Sequence, residues 1–340
     1  MEMKRPRAML GMGFVIGAVI LPGCASSNKQ AVATRESSYF GPPIKLKTAD
    51  NGSATQSQSP LGTDIALTYF NARRAEVGLP AMAFDANIAL AASEHANYLL
   101  RNNAHGHDEV AGAPGFTGID ATSRVRRHTD VYGASEVLSV FNSHRPAEDA
   151  IEQIFASPYH RSTIFFDWVR AGAAAQTAAT SVTVVDFADI GHALADNELV
   201  AYPYDRQADA PVVWTDNEVP DPMGAGSAYR GRDVGYPITL SGGPTAHIEL
   251  DTFELRNAKG RVFPCHIAAL TSADTGRNTG VCTPMEPLQP GTRYSVHAVG
   301  RLTQATRFAN APFALDWSFT TRASHAVLAA DKAGVYSNDM

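Results

Sequence analysis

Two stretches near the start of the folded region carry apolar residues at helical spacing. Residues 64–77 show one apolar face, and Gly78 supplies a break at the C-terminal end. Residues 85–103 repeat the pattern, with Asp85 placed as a cap and His95 inside the apolar stripe. We therefore predict two amphipathic helices that cover a sheet. A histidine within such a stripe is expected to be a buried, hydrogen-bonded packing residue.

A third helical pattern covers residues 146–155 and is followed by Pro158. Proline restricts the residue before it and lacks an N–H, so the helix is predicted to end there. This places His160 in a loop, where its side chain can point into a cleft. Residues 102–141 lack clear periodicity and are rich in Gly, Arg, Asp and Thr, which is typical of long functional loops.

Alternating apolar residues predict strands in both halves of the chain. In the first half, residues 170–176, 182–187 and 199–202 are expected to pair as an antiparallel sheet. In the second half, short strands separated by Gly, Pro and Lys turns predict a β-sandwich. Those strands are residues 236–240, 246–255, 262–267, 294–298 and 313–319.

The first 24 residues are typical of an export signal. Three basic residues precede a short apolar run, and residues 21–24 (Leu-Pro-Gly-Cys) resemble the lipobox of bacterial lipoproteins. Cleavage would leave Cys24 as a lipidated N-terminus, anchored by acyl chains. The alternative is a plain secretory signal with a chance cysteine. Residue 25 is Ala and not the aspartate that signals inner-membrane retention in enterobacterial lipoproteins, which favours the outer membrane. The polar residues up to 61 predict a flexible tether, and docking of the exceptional residues 39–44 on a domain is the alternative for that segment.

Composition and charge exclude some classes of function. The 340 residues are 44% hydrophobic and 18% charged, which is ordinary for globular domains with a leader. A net charge of −6 argues against a nucleic-acid partner, since such partners require a basic surface. Arg124, Arg126 and Arg127 form a short basic run that is expected to be solvated, with an anion site as the alternative.

The three cysteines divide into one lipid site and one pair. With Cys24 assigned to lipid, Cys265 and Cys282 remain as an even pair in an exported domain, where oxidation is expected. We predict a disulfide between them. Two buried thiols are the alternative.

Three polar residues on separate segments can share one pocket: His107, Glu136 and His160. Neutral imidazoles suit zinc, so His107 and His160 are a candidate site for a weakly bound divalent metal, with Glu136 orienting a ligand or water. The alternative is that the three residues hydrogen-bond one another and hold the loops in place. Sequence motifs of zinc proteases, of serine hydrolases with a nucleophile elbow and of phosphate-binding loops are absent from the sequence.

The order and spacing of these signals resemble the CAP superfamily of cysteine-rich secretory proteins, antigen 5 and pathogenesis-related proteins, in its bacterial SCP-like branch. The resemblance implies an α-β-α sandwich whose cleft carries two histidines and two acidic residues. Three of these match His107, Glu136 and His160, and Ser157 stands where the animal branch has the second acid. The matching pieces are residues 71–79, 90–96, His107, 115–118, Glu136, 157–161 and 184–187.

A second resemblance covers about a hundred residues of the C-terminal half. Residues 288–294 and 317–321 are similar to bacterial Ig-like or fibronectin-type modules. The expected fold class is therefore α+β, with an α-β-α sandwich followed by an all-β Ig-like sandwich. The expected organisation is a signal peptide (1–23), a lipidated tether (24–61), a CAP domain (62–202), a proline-rich linker (203–222), an Ig-like β-sandwich (223–322) and a tail (323–340).

These patterns predict an exported, lipid-anchored binding or scaffold protein of the cell envelope, with an unidentified small-molecule, lipid or envelope ligand for the His/Glu cleft. Members of the family are reported to bind sterols and other lipids, and some have been proposed as proteases. One alternative is a metal-assisted hydrolase that acts on an envelope polymer or peptide. Another is an adhesion module that acts through the β-sandwich, with the CAP domain as a spacer.

Overall fold

The computed structural model describes residues 39, 41–49, 64–177, 179–268, 278–304 and 308–323. The predicted signal peptide, the lipid site at Cys24 and most of the predicted tether lie outside these residues. Among the helices that the structure describes, none is long and apolar enough to cross a membrane.

Both predicted N-terminal helices are confirmed, together with the predicted Asp85 cap, and Asp64 caps the first of them. The Asp64 carboxylate accepts a hydrogen bond from the Leu67 N–H at 2.8 Å, and Asp85 accepts one from the Asn87 N–H at 2.9 Å. Each cap satisfies an N–H group that has no partner within the helix. The helices are α1 (Ile65–Glu76), α2 (Ala86–Asn102), α3 (Ala121–Arg126), α4 (Ala147–Ala156) and α5 (Pro158–Ile164).

The prediction that His160 lies in a loop is wrong. Helix α4 ends before Ser157, which has extended dihedrals (φ −71°, ψ 124°), as expected for a residue before proline. Pro158 then occupies the first position of α5, where its fixed φ favours a helix and its missing N–H is not required. The proline therefore separates two helices, and His160 lies in the first turn of the second.

Within the described residues, the strands are arranged in four sheets. They are β1 (Lys45–Leu46), β2 (Ala83–Phe84), β3 (Ala134–Phe141), β4 (Trp168–Thr177), β5 (Ser181–Ile190), β6 (Glu198–Tyr202), β7 (Val213–Thr215), β8 (Asp233–Gly235), β9 (Ile238–Ser241), β10 (Ala246–Asn257), β11 (Val262–Phe263), β12 (Cys265–Ile267), β13 (Thr279–Pro284), β14 (Arg293–Gln304) and β15 (Phe308–Thr320).

The N-terminal half is an α-β-α sandwich built on the sheet β2-β4-β5-β3. Successive residues of β5 serve opposite faces, as the two-residue period of a strand requires. Val184 packs with α2 residues such as Ala92 on one face. Val185 packs with residues of α1 and α4, including Phe70 and Ile154, on the other. This burial on both faces explains the almost continuous apolar run of β5.

The C-terminal half is a sandwich of two sheets, with strand orders β1-β6-β9-β13-β12 and β11-β10-β14-β15. Leu240 of the first sheet shares one core with Leu255, Val296 and Trp317 of the second. The disulfide between Cys265 of β12 and Cys282 of β13 is present, with a Cα–Cα distance of 5.2 Å. The predicted fold class and the predicted disulfide are both confirmed.

Strand β6 does not pair with the N-terminal sheet, so the pairing expected for residues 199–202 is wrong. It lies between β1 and β9 in the sandwich. The reason is that both of its faces are apolar: Leu199 joins the sandwich core, whereas Val200 and Tyr202 join the core of the N-terminal half. One strand therefore contributes to two cores.

The predicted tether also differs from the structure over its last described part. Ile44 is buried in the sandwich core, and Lys45–Leu46 form the parallel edge strand β1 against β6. The short apolar segment around Ile44 gives a weak local signal, and the sheet edge that it covers is formed by residues about 150 positions later. Only the tertiary fold brings the two together.

Candidate functional site

The His107 side of the site rests on a loop that is organised by a buried glutamate. Glu109 accepts hydrogen bonds from the Thr117 N–H at 2.5 Å and from the Gly118 N–H at 3.3 Å, and lies 2.9 Å from His95 Nδ1. His95 is fully buried in α2, and its Nε2 lies 3.2 Å from the Gly106 carbonyl. The expectation that His95 is a buried, hydrogen-bonded packing residue is confirmed, and its role is to hold this loop.

Glu136, on β3, fixes the imidazole of His107. Its Oε1 lies 2.8 Å from His107 Nδ1, and its Oε2 accepts a hydrogen bond from Arg124 Nη2 at 2.7 Å. Burial by itself would raise the pKa of Glu136, but the hydrogen bond from His107 and the charge of Arg124 outweigh it and hold that pKa below its ordinary value. An ionised carboxylate on Nδ1 leaves Nε2 of His107 facing away from it, toward the cleft.

The expectation that the basic run is solvated is wrong for Arg124. Its side chain is fully buried in α3, it neutralises Glu136, and it donates a second hydrogen bond to the His107 carbonyl at 2.8 Å. Arg126 and Arg127 remain at the surface, as expected. The basic run contained no signal that separates the three, because the choice depends on which side of a short helix faces the sheet.

His160 meets a carboxylate that the sequence did not indicate. Glu218 Oε1 accepts a hydrogen bond from the His160 N–H at 2.7 Å, and its Oε2 accepts one from the Tyr159 N–H at 3.0 Å. The same Oε1 lies 3.3 Å from His160 Nδ1. Glu218 follows β7 in the segment predicted to be a linker, and no local pattern distinguishes it from the other acidic residues there.

Burial favours the neutral forms of both His160 and Glu218. Burial lowers the pKa of His160 to about 3, with a further contribution from His107. Burial raises the pKa of Glu218 to about 8, against the two backbone N–H groups that favour its ionised form. At neutral pH the imidazole is therefore uncharged and the carboxyl is mostly protonated.

These residues surround a partly open cavity of about 150 Å³. His107 and His160 contribute its polar edges, together with Glu218. His105 also borders the cavity. The apolar wall is formed by Leu138, Val140, Phe141, Ile154 and Val219. The predicted trio of His107, Glu136 and His160 thus gathers at one site, with Glu136 behind His107.

The metal site expected at His107 and His160 remains a prediction. Within the described ranges, no group of three or more His, Cys, Asp or Glu side chains is arranged to hold a metal ion. Two imidazole nitrogens fall short of the three protein ligands usual in catalytic zinc sites. The residues present do not fit a dedicated metalloenzyme centre.

The layered fold and the carboxylate-oriented histidines define the N-terminal half as an α-β-α domain with a polar cleft. Residues 67–184 match the family model described as CAP, the cysteine-rich secretory protein family. This chain therefore carries a CAP domain. Glu218 lies outside the matched residues.

Solved structures with similarity to part of the chain include two bacterial proteins. An outer surface protein from Borrelia burgdorferi is 17% identical with a TM-score of 0.32, covering 38% of this chain and 92% of that one. An extracellular protein containing a SCP domain from Bacillus anthracis str. Ames is 19% identical with a TM-score of 0.30. That alignment covers 38% of this chain and 44% of the Bacillus protein. No curated protein matches the chain.

Proposed function

We propose that this chain is an exported, lipid-anchored binding protein whose CAP cleft takes an uncharged, largely apolar group of a small envelope ligand. The observation that carries the proposal is the cavity of about 150 Å³ with an apolar wall and two histidine edges. A cavity of this size accommodates a group of about six carbon atoms.

The electrostatics of the cleft favour a neutral ligand. The pKa of His160 is lowered to about 3 and that of Glu218 is raised to about 8, both mainly through burial, so neither offers a full charge at pH 7. The charge of Glu136 is offset by Arg124 at 2.7 Å. A charged ligand would lose its hydration without gaining an ionic partner, which is costly.

Three probes of equal chain length test this proposal: hexan-1-ol, hexanoate and hexylammonium. Using NMR titration at pH 7, we expect saturable binding of hexan-1-ol and at least about tenfold weaker binding of both ions. Val219→Trp should block binding, because Val219 borders the cavity and is 61% exposed. Val110→Trp is the matched control, since Val110 is 69% exposed and lies away from the cavity lining. Tighter binding of either ion would contradict the proposal.

Lipid anchoring is supported by residues 21–24 and by the disulfide, which fits an oxidising compartment. We expect the protein to fractionate with membranes, in the outer membrane, and Cys24→Ala to abolish acyl labelling. Labelling that survives this substitution would overturn the assignment of the lipid to Cys24.

A hydrolase that acts on an envelope polymer or peptide is the second candidate. It is favoured by one observation: two glutamates beside two histidines have their pKa values displaced in opposite directions, downward for Glu136 and upward for Glu218. Such a separation is what a general base and a general acid require. Hydrolysis of a peptide library that disappears in His160→Ala would support it, and comparison with and without added zinc would test the metal.

A further inference from the structure

The C-terminal half of the chain reaches into the CAP cleft through residues 216–219. The backbone of this segment is fixed at both sides of Glu218. The Asp216 N–H donates to the Arg232 carbonyl at 3.0 Å, and the Gly231 N–H donates to the Asp216 carbonyl at 2.7 Å. Arg230 Nη1 donates to the Glu218 carbonyl at 2.6 Å. The segment is therefore held by the β7–β8 hairpin, and its position does not depend on the cleft alone.

Glu218 is buried and makes three polar contacts with the first turn of α5. Its two oxygens accept the N–H groups of Tyr159 and His160, at 3.0 and 2.7 Å. The third contact is with the ring of His160, whose Nδ1 lies 3.3 Å from Glu218 Oε1. Within the part of the chain that the structure describes, this buried Nδ1 makes no hydrogen bond. The carboxyl group is thus placed to engage the nitrogen that faces away from the cavity.

A hydrogen bond on one imidazole nitrogen determines which way the other one points. In a binding site, a hydrogen bond between a carboxyl group and an imidazole nitrogen is often long without a ligand and shortens when the site is occupied. His107 makes the corresponding contact at a shorter distance, since its Nδ1 lies 2.8 Å from Glu136 Oε1. The two histidines therefore each have a carboxyl group behind them and border one cavity.

We propose that Glu218 is a positioning residue for His160, which turns the Nε2 edge of this histidine into the cavity. The CAP segment at residues 67–184 builds only part of the cleft, and a residue of the following half completes it. This inference rests on the proposed function where it concerns ligand binding. Its effect on the His160 ring can be measured without any ligand.

The first measurement is the protonation and tautomer of His160 in the full chain, followed by ¹⁵N NMR of the imidazole nitrogens. We expect one well-defined tautomer in the wild type, a mixture in Glu218→Ala, and recovery in Glu218→Gln, because the Gln side chain can still hydrogen-bond to Nδ1. The His107 signals should stay unchanged in each variant, which shows that the cleft is folded. Asp221→Asn is the matched control, since Asp221 lies just after this segment and accepts a hydrogen bond from the Met223 N–H.

The second measurement is a double-mutant cycle with hexan-1-ol as the probe. We expect Glu218→Ala to weaken binding about three- to tenfold, which corresponds to the net free-energy contribution of one hydrogen bond. In a His160→Ala background the same substitution should have no further effect, because Glu218 acts through His160.

Each outcome separates the two proposals. If hexan-1-ol fails to bind the wild type, the proposed function is wrong, and the NMR measurement alone decides the role of Glu218. If Glu218→Ala leaves the His160 tautomer unchanged, or if its effect on binding adds to that of His160→Ala, the positioning role is overturned. A loss of folding in Glu218→Ala would leave Glu218→Gln as the decisive variant, and altered His160 signals in it would count against the proposal.

Discussion

Two buried glutamates at the cleft behave differently because their neighbours differ. Glu136 has Arg124 at 2.7 Å, and its pKa is lowered despite burial. The pKa of Glu218 is raised to about 8, since burial outweighs the backbone N–H groups that it accepts. At the scale of single residues, the hydrogen bond from His107 and the charge of Arg124 keep Glu136 ionised, whereas burial keeps Glu218 mostly protonated at neutral pH.

Glu218 should make the protein less stable as the pH rises. A glutamate whose pKa increases from 4.5 in the unfolded chain to about 8 binds its proton more tightly when folded. Its contribution is therefore complete below about pH 4.5 and is lost progressively up to about pH 8. Asp216 and Glu76, both raised to about 7, act in the same direction. Urea unfolding at pH 6 and pH 9 should show a loss of a few kcal/mol in the wild type, on the order of 1.4 per pKa unit.

Glu218→Gln is the variant that isolates this effect, because it cannot ionise. We expect its loss of stability between pH 6 and pH 9 to be clearly smaller than that of the wild type. An equal loss in both proteins would show that Glu218 does not carry the dependence.

Arg124 should be among the costliest single residues to remove. Arg124→Leu leaves Glu136 buried without a cationic partner, and breaking a buried pair from one side costs about 3–5 kcal/mol. The control is Arg127→Leu, because the Arg127 side chain is 48% exposed, and an exposed pair is worth about 1 kcal/mol or less. Chemical denaturation of both variants measures the difference, and equal losses would contradict the assigned role of Arg124.

At the scale of elements, α2 packs closely against β4. A Cβ on Gly172 of β4 would stand 2.2 Å from the Ala89 nitrogen of α2, so only glycine permits this contact. The sequence shows Gly172 as one glycine within an Ala-rich strand, and the reason for it appears only when the helix is placed on the sheet.

Gly172→Ala should therefore push α2 away from the sheet. We expect a loss of stability of about 1–3 kcal/mol or more, as for other overpacked sites. Gly133→Ala is the matched control, because a Cβ at Gly133 meets no atom within 4 Å and its backbone needs no positive φ. Thermal unfolding of the two variants compares them. A stable Gly172→Ala protein with an unchanged melting temperature would contradict the close packing.

At the scale of the whole molecule, Arg161 joins the CAP domain to the sandwich. It lies in α5, is fully buried, and donates to the Pro237 carbonyl at 2.6 Å and to Thr239 Oγ1 at 3.2 Å. Its guanidinium also stacks over Tyr202 and Tyr236, with 5.1 and 4.9 Å to the ring centroids. Together with β6, which contributes to both cores, this contact makes the two halves one structural body.

We therefore expect the full chain to unfold in a single cooperative transition in calorimetry. Arg161→Met should lower the transition temperature, because the Arg161 hydrogen bonds to Pro237 and Thr239 are lost, while β6 still contributes to both cores. Arg256→Met is the control, since Arg256 is 49% exposed on a sandwich strand. Two transitions in the wild type would contradict the joint unfolding of the halves.

Much of this protein follows from its sequence. The helical periods, the Asp64 and Asp85 caps, the strand alternation and the cysteine pair are local signals. Each reflects a property of neighbouring residues, such as an apolar face or an unsatisfied N–H group. The spacing of His107, Glu136 and His160 within the CAP pattern likewise predicted that they meet.

Other features were decided only by tertiary structure. The sequence could not show that β6 belongs to the sandwich or that Arg124 is buried. Pro158 is a different case, because proline at the first position of a helix is itself a local signal, which the prediction of a loop overlooked. The sequence also contained no sign of Glu218, which lies 58 residues beyond His160 and contacts it through backbone N–H groups. Hydrogen bonds to the backbone leave no pattern of side-chain types, and burial depends on which distant surface covers a residue. The second acidic group of the cleft therefore became visible only when the two halves of the chain were placed together.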